Sequence, residues 1–142
     1  MAESVGMSLV SLQEMLDSPL FAAWVRDLAL RVTEVRPGEV HLALPVTARH
    51  VHGGGVVCGQ TLMAAADTAM VLAVTSQLGA FKPMTTVQLQ TSFLRPVPGT
   101  DAEARIVARV LRLGKSLAFG EIEVQDASGR LAAHATTTYA LL

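Results

Sequence analysis

The chain has 142 residues, of which 51% are hydrophobic and 16% are charged. This length suits one well-formed core and not two ordinary domains, and the composition excludes a mainly disordered chain. The net charge of −1 gives no general attraction to nucleic acid or to an anionic membrane. The mean hydropathy of +0.43 is high for a small monomer. Either a membrane segment or a large apolar interface between subunits explains it.

The apolar surplus is better explained by an interface than by a membrane span. A spanning helix needs roughly 20 predominantly apolar residues, whereas the best stretch, Leu62 to Val74, is shorter and contains Asp67. We therefore expect subunit association and no membrane segment. The first ten residues lack a basic region followed by an apolar stretch, so we expect no secretory signal. The single cysteine, Cys58, excludes an internal disulfide and suits the cytoplasm.

The N-terminal region predicts one or two short amphipathic helices between Ser8 and Asp27. The pair Ser18-Pro19 interrupts the pattern, because proline fits the first turn of a new helix but does not continue an existing one. Phe21 and Trp24 lie one helical face apart, and we expect both in the core.

A β-hairpin and a loop follow the N-terminal region. Two β-favouring runs, Leu30 to Val35 and Glu39 to Leu44, flank a turn signal at Arg36-Pro37-Gly38. The segment from Pro45 to Gly55 contains two histidines and three glycines, which predicts a loop.

One long helix is predicted from Gly59 to Leu78. The segment is rich in Ala, Leu and Met, contains neither Pro nor an internal Gly, and stops at Gly79. Apolar side chains cover most of its circumference, so we expect burial on nearly all sides.

After the long helix the pattern changes to period two, which predicts four long strands. These strands are Thr85 to Leu94, Ala102 to Leu113, Leu117 to Gln125 and Arg130 to Leu141. The economical packing is a mostly antiparallel sheet wrapped around one apolar helix. We therefore predict an α+β fold in a single domain, 1–142, with an N-terminal helical segment at 1–28 and the core at 29–142.

Asp67 is the most informative residue, because a carboxylate in apolar surroundings needs a partner or a shifted pKa. Helical spacing places Gln60 on the same face, and Thr61, Thr68 and Thr75 repeat on the adjoining stripe. The helix thus carries one narrow polar seam. Two interpretations stay open: a functional carboxylate, which we favour, and a buried acid that only fixes the packing.

The glycine-rich loop from His52 to Gly59 leads straight into this helix. Its glycines let backbone approach a ligand, and the helix start presents free N–H groups that suit a developing oxyanion. The dinucleotide and Walker patterns are both absent from the loop. Cys58 is an alternative nucleophile, although no general base is placed to assist it. The four histidines show no metal-ligand spacing, so we expect no metal.

Four segments, in this order, resemble the hotdog-fold acyl-CoA thioesterases of the PaaI-like, phenylacetate-pathway type. They are 54–62 (GGVVCGQTL), 66–70 (ADTAM), 86–96 (TVQLQTSFLRP) and 112–115 (RLGK). The resemblance spans roughly Val46 to the C-terminus. It implies a hotdog fold, thioester hydrolysis, coenzyme A as part of the substrate, no separate cofactor, and assembly into homodimers or homotetramers.

The resemblance also implies roles for individual residues. The acid at Asp67 acts as general base or nucleophile, the Gly59 N–H contributes to the oxyanion hole, and His52 stands where an Asn or Gln orients the thioester or the water. The chain departs from the common pattern at Cys58, where many relatives have His, and at Gln60, where they have Gly. The residues expected to contact substrate are Gly55, Val57, Cys58, Gln60, Thr68, Arg95, Arg112, Gly114 and Lys115. The three basic residues among them are candidate partners for the phosphates of coenzyme A.

Spacing adds an argument that does not depend on the family. Gly59 and Asp67 are eight residues apart, or ~12 Å along a helix, so one carbonyl cannot easily reach both on the same helix. We therefore predict an obligate homodimer in which two helices share two sites. The alternatives to hydrolysis are a non-catalytic acyl-CoA-binding or sensing protein and, ranked lower, a dehydratase or hydratase. The latter needs a histidine that the helix after Gly59 lacks.

Overall fold

A computed structural model describes residues 7–142, so the first six residues of the predicted N-terminal segment lie outside the described part. The predicted order of a helical segment, two strands, one long helix and four strands is confirmed. The elements are α1 (Leu9–Leu16), α2 (Ala23–Arg26), β1 (Arg31–Arg36), β2 (Glu39–Pro45), a 3-10 turn (Ala48–His50), α3 (Gly59–Leu78), β3 (Met84–Phe93), β4 (Glu103–Leu113), β5 (Leu117–Gln125) and β6 (Leu131–Leu141).

The six strands form one antiparallel sheet in the order β1-β2-β4-β5-β6-β3, with α3 packed against it. This arrangement confirms the predicted α+β hotdog architecture. The strands β1 and β3 are the edges of the described sheet. Edge strands present unpaired backbone groups to whatever lies beside them.

Helix α3 begins and ends where the sequence predicts. It stops because Gly79 adopts a left-handed conformation, with φ of +85°, that glycine tolerates without strain. Ala65, Ala69 and Ala73 are fully buried, and their small side chains let the sheet approach the helix closely. The helix is long and apolar enough to cross a membrane, but 67% of its most apolar window is buried inside the fold. It is therefore the core helix.

One stripe of α3 is less buried than the sequence predicts. Gln60 is exposed, and Met63, Ala64, Asp67 and Val71 are only half-buried. These positions recur at three- and four-residue intervals, so they lie on one side of the helix. Asp67 is thus on the face of α3 that a single chain does not cover.

The N-terminal segment agrees with prediction in its break but not in one core residue. Helix α1 is capped by Ser8 and ends at Leu16, just before Ser18-Pro19. Helix α2 is a single turn of four residues, and Trp24 is 60% exposed, so the prediction that Trp24 is a core residue is wrong. None of the four residues of α2 is buried. Leu28, at the end of the segment, is buried in its place.

Candidate active site

The start of α3 presents an unused hydrogen-bond donor at Gly59. The preceding loop is fixed by two backbone bonds, from the Cys58 N–H to the His50 carbonyl at 2.8 Å and from the His52 N–H to the Val56 carbonyl at 2.9 Å. Among the described residues no bond uses the Gly59 N–H, as expected for the first residue of a helix. The helix dipole adds partial positive charge there, so the position suits an oxyanion.

The space beside Gly59 is an open groove of about 450 Å³. A Cβ added to Gly59 would lie only 3.1 Å from Cζ of Phe93, so the absence of a side chain lets that ring lie close to the helix start. The groove is lined by His52, Val56, Val57, Gly59, Leu62, Phe93, Leu94, Arg95, Pro96 and Val97. It therefore brings together four residues predicted from the sequence, namely His52, Val57, Gly59 and Arg95. Its size is that of a small-molecule site.

Gly55 serves the shape of the loop. It has φ of +85°, and its carbonyl accepts a hydrogen bond from the Gly99 N–H at 2.7 Å. Gly53 and Gly54 have neither positive φ nor a close neighbour. Only one of the three consecutive glycines is thus required by backbone conformation. The predicted contact of Gly55 with substrate stays a prediction.

Asp67 has two hydroxyl partners, in line with the expectation that a carboxylate on an apolar helix needs a partner. The Thr86 hydroxyl donates to Asp67 Oδ1 at 2.9 Å, and the Tyr139 hydroxyl donates to the same oxygen. Tyr139 Oη also lies 2.8 Å from the Asp67 backbone carbonyl. Burial, and then the negative charge of Asp67, raise the pKa of Tyr139 far above its ordinary value. The phenol therefore stays protonated and remains a donor.

Tyr139 and Thr86 are functional candidates that the sequence analysis missed. They are directly opposite each other in the pairing of β3 with β6, so both hydroxyls leave the same face of the sheet. One signal was available. Tyr139 is the only tyrosine, and it alternates with the inward positions Ala135 and Thr137. A buried tyrosine needs a partner for its hydroxyl, but naming that partner requires the strand register.

The groove and the acid belong to different parts of α3. Gly59 lines the groove and Asp67 does not. Because α3 is continuous over Gly59–Leu78, the two residues are ~12 Å apart along its axis. One chain therefore offers a free backbone N–H and a carboxylate that do not face a common small group.

Cys58 takes part in a local network outside the lining of the groove. Its Sγ lies 2.9 Å from Thr61 Oγ1, which lies 3.3 Å from His50 Nδ1. Thr68 is buried, and its hydroxyl donates to the Ala64 carbonyl at 2.8 Å. The predicted substrate contacts of Cys58 and Thr68 stay predictions.

Gln60 lines a second depression, of about 270 Å³, instead of the groove. This depression lies between α2 and the first turns of α3 and is lined by Trp24, Asp27, Leu28, Arg49, His50, Gln60, Thr61 and Ala64. Within one chain, Gln60 therefore belongs to a different surface from Gly59, and its predicted role also stays a prediction.

The predicted basic residues occupy two places. Arg112, Gly114 and Lys115 line a depression of about 380 Å³ at the β4–β5 hairpin, so three predicted residues lie together there. Arg95 is in the groove, and its Nε donates to the Leu131 carbonyl at 3.2 Å. The hairpin depression carries two cations and suits a phosphate group.

A cluster on the β1–β2 hairpin has ligand atoms of Glu34, Glu39 and His41 within 4.8 Å of one another. Arg36 bonds to both carboxylates, and Arg109 pairs with Glu39. The pKa of Glu39 lies below its ordinary value, first because of the hydrogen bond from His41 and then because of these guanidinium charges. The cluster is an ion-pair network on the hairpin.

Comparison with known proteins identifies the family. Residues 49–133 match the thioesterase superfamily, and these residues contain the groove loop, all of α3 and Thr86. The chain belongs to the thioesterase superfamily. The prediction of a thioester hydrolase is confirmed at this level.

Among sequence relatives, a protein of Thermoplasma volcanium named as a candidate esterase is 30% identical over 75% of this chain and 78% of its own length. Among solved structures, a conserved protein of Pseudomonas aeruginosa is 30% identical, with a TM-score of 0.78 over 86% of this chain and 95% of its own. The PaaI protein of the Escherichia coli phenylacetic acid degradation operon shares the fold, with a TM-score of 0.80 at 22% identity, over 95% of this chain and 96% of its own. A hypothetical thioesterase of Streptococcus pneumoniae, solved with coenzyme A, also shares it, with a TM-score of 0.73 at 19% identity, over 80% of this chain and 85% of its own.

Proposed function

We propose that this protein hydrolyses an acyl-CoA or aroyl-CoA thioester to the free acid and coenzyme A. The observation that carries the proposal is Asp67, an acid on an otherwise apolar helix whose Oδ1 is held by two hydroxyls. No hydrogen bond from the described residues reaches its other oxygen, Oδ2. Oδ2 is therefore available to take a proton or to attack a carbon, as a general base or a nucleophile requires.

In this reaction Asp67 takes a proton from water as the water oxygen attacks the thioester carbon, or it attacks that carbon directly. The carbonyl oxygen becomes an oxyanion and accepts a hydrogen bond from the Gly59 N–H. Collapse of the tetrahedral intermediate breaks the C–S bond, and the sulfur of coenzyme A leaves with the proton that Asp67 took from the water. After direct attack the collapse leaves a mixed anhydride on Asp67; water hydrolyses it to the acid and the free Asp67 carboxylate, and a proton released in that step neutralises the thiolate. His52, which is exposed at the groove, is proposed to orient the thioester or the water.

The site is proposed to be shared between the two protomers of a homodimer. Two such dimers are proposed as an alternative assembly, a homotetramer. Gly59 and Asp67 of one helix are ~12 Å apart, so one thioester cannot easily contact both. This distance supports an arrangement in which Asp67 of the partner subunit lies opposite each groove. The half-buried stripe with Met63, Asp67 and Val71 supports an α3–α3 contact. Val87 on the edge strand β3 is 60% exposed, so it is available to pack against a partner subunit beside that edge.

The groove is proposed to hold the thioester end of the substrate, with Phe93 and Leu94 against the acyl chain. Arg112 and Lys115, in the depression at the β4–β5 hairpin, are proposed to bind phosphates of coenzyme A. The coenzyme A found with the streptococcal protein of the same fold supports this ligand class. We propose no metal and no cofactor besides the coenzyme A of the substrate, and a cytoplasmic location because Cys58 is the only cysteine.

The test is a panel of short, long and aromatic acyl-CoAs with Asp67→Asn as the key variant. Asn keeps the acceptor for Tyr139 and Thr86 but does not take a proton, so we expect turnover to fall by about 10²–10⁴-fold. Equal rates for Asp67→Asn and wild type would contradict the assignment. Binding of acyl-CoA without any turnover by wild type would favour the sensing alternative.

A second pair of variants isolates the oxyanion donor. Gly59→Pro removes the N–H at a position where helices accept proline, and the extended conformation of Cys58 suits a residue before proline. Gly59→Ala is the matched control, because it adds the same Cβ beside Phe93 but keeps the N–H. We expect Gly59→Pro to be slower than Gly59→Ala by about 10²-fold in kcat. Equal rates for the two variants would exclude Gly59 as the donor.

A further inference from the structure

Tyr139 has no role in the reaction as proposed, although its hydroxyl contacts the reacting acid. Its ring is 1% exposed, and its hydroxyl lies beside both Asp67 Oδ1 and the Asp67 carbonyl. A phenol has one proton to share between these two acceptors. Tyr139 lies on β6, 72 residues from Asp67 in the sequence. The contact between them therefore depends entirely on how β6 packs against α3.

We propose that Tyr139 is a positioning residue that anchors Oδ1 of Asp67, leaves Oδ2 as the reacting oxygen and favours the ionised carboxylate. This inference rests on the proposed function, since it names how the catalytic acid of that same site is held. The hydroxyl donates to Oδ1 while Asp67 is ionised and has the backbone carbonyl as its alternative acceptor when Asp67 is neutral. The charge-assisted bond is the stronger of the two, so the hydroxyl selects the carboxylate.

The surroundings of Asp67 leave few other groups to set its ionisation. From β3 the facing group is the Thr86 hydroxyl, and from β6 it is Tyr139. Its neighbours one turn away on α3, Met63, Ala64, Met70 and Val71, are all uncharged. Within residues 7–142 no ion pair reaches Asp67. Because burial keeps Tyr139 protonated, its hydroxyl is a donor throughout the working pH range.

The experiment measures Tyr139→Phe, which keeps the ring and removes the hydroxyl, against Thr137→Val. Thr137 is a matched control on the same strand: it is 3% exposed, and its hydroxyl donates to the Gln88 carbonyl, away from Asp67. For Tyr139→Phe we expect the acid limb of the kcat/KM profile to move to higher pH by about one pH unit. We also expect kcat to fall about tenfold with KM within about twofold. Thr137→Val leaves the profile in place.

A measurement that does not depend on turnover tests this inference separately from the proposed function. The carbon-13 shift of the Asp67 carboxyl carbon, assigned with Asp67→Asn, is titrated in the full chain. Its midpoint is expected at higher pH in Tyr139→Phe, and also in Thr86→Val, which tests the same oxygen if Tyr139→Phe is unstable. If wild type hydrolyses nothing, the function fails while the titration still decides on Tyr139. A Tyr139→Phe midpoint equal to that of Thr137→Val would overturn the inference, whatever the midpoint of Thr86→Val.

Discussion

Gly120 on β5 is the position where an added methyl group is expected to disturb the fold most. A Cβ there would meet the terminal methyl of Met70, lie 2.5 Å from Met70 Sδ, and lie 2.7 Å from the backbone carbonyl oxygen of Arg109. Met70 is fully buried on α3, three residues from Asp67, so it has little room to swing aside. The carbonyl belongs to β4 and moves only if the strand moves.

Two opposing effects decide the size of the change in Gly120→Ala. Replacing glycine by alanine restricts the unfolded chain and by itself stabilises a protein by about 0.4–1 kcal/mol. Overpacking a filled core typically costs about 1–3 kcal/mol, and a contact with backbone favours the upper part of that range. We therefore expect the free energy of unfolding to fall by about 1–2 kcal/mol.

The assay is urea unfolding at one fixed protein concentration, because the proposed subunit association would make apparent stability depend on concentration. Gly53→Ala is the control, since Gly53 has an ordinary φ and no atom within 4 Å of an added Cβ. It should stay within about 0.5 kcal/mol of wild type. Adding Met70→Leu to Gly120→Ala should recover only part of the loss, because the Arg109 carbonyl remains. Equal stability of Gly120→Ala and Gly53→Ala would refute the packing argument.

Two further predictions concern assembly and pH. Light scattering should show a dimer or tetramer at micromolar concentration, and mixing Asp67→Asn with Gly59→Pro subunits should restore about one quarter of wild-type activity, because half the dimers are mixed and each has one intact shared site. A monomer, or no restored activity after subunit exchange, would contradict the shared site. The lowered pKa of Glu39 stabilises the folded protein above its unfolded value of 4.5, and this contribution is lost as pH falls below it. Between about pH 5 and pH 3, the free energy of unfolding of Glu39→Gln should therefore fall by about 0.5 kcal/mol less than that of wild type, as measured by urea unfolding. Equal falls in the two proteins would show that Glu39 does not contribute to the loss of stability in acid.

The positions of the candidate residues Gly59 and Asp67 on α3 were predictable because they are encoded locally. The run of Ala, Leu and Met before Gly79 fixes where α3 starts and stops, and the glycine-rich loop must precede it. The conspicuous acid on that helix, Asp67, then follows from sequence alone. The separation of ~12 Å between Gly59 and Asp67 follows from the rise per residue of an α-helix alone.

What holds the acid was not predictable, because it depends on contacts between residues far apart in the chain. The register of β3 against β6 sets Thr86 opposite Tyr139, and the packing of β6 on α3 brings both hydroxyls to Asp67. The prediction that Trp24 lies in the core was wrong for a related reason. Helical spacing indicates which side of a helix a residue occupies but not what that side faces.

The sequence by itself thus determined the long helix, the order of the strands along the chain, the family and the acid Asp67. Each of these follows from periodicity, turn residues or short motifs. Only the tertiary structure decided that the groove at Gly59 excludes Asp67 and that Oδ1 of the acid is tied to two hydroxyls. It also left the Asp67 stripe of α3 uncovered. These features arise from sheet register and packing, which join residues up to 72 positions apart.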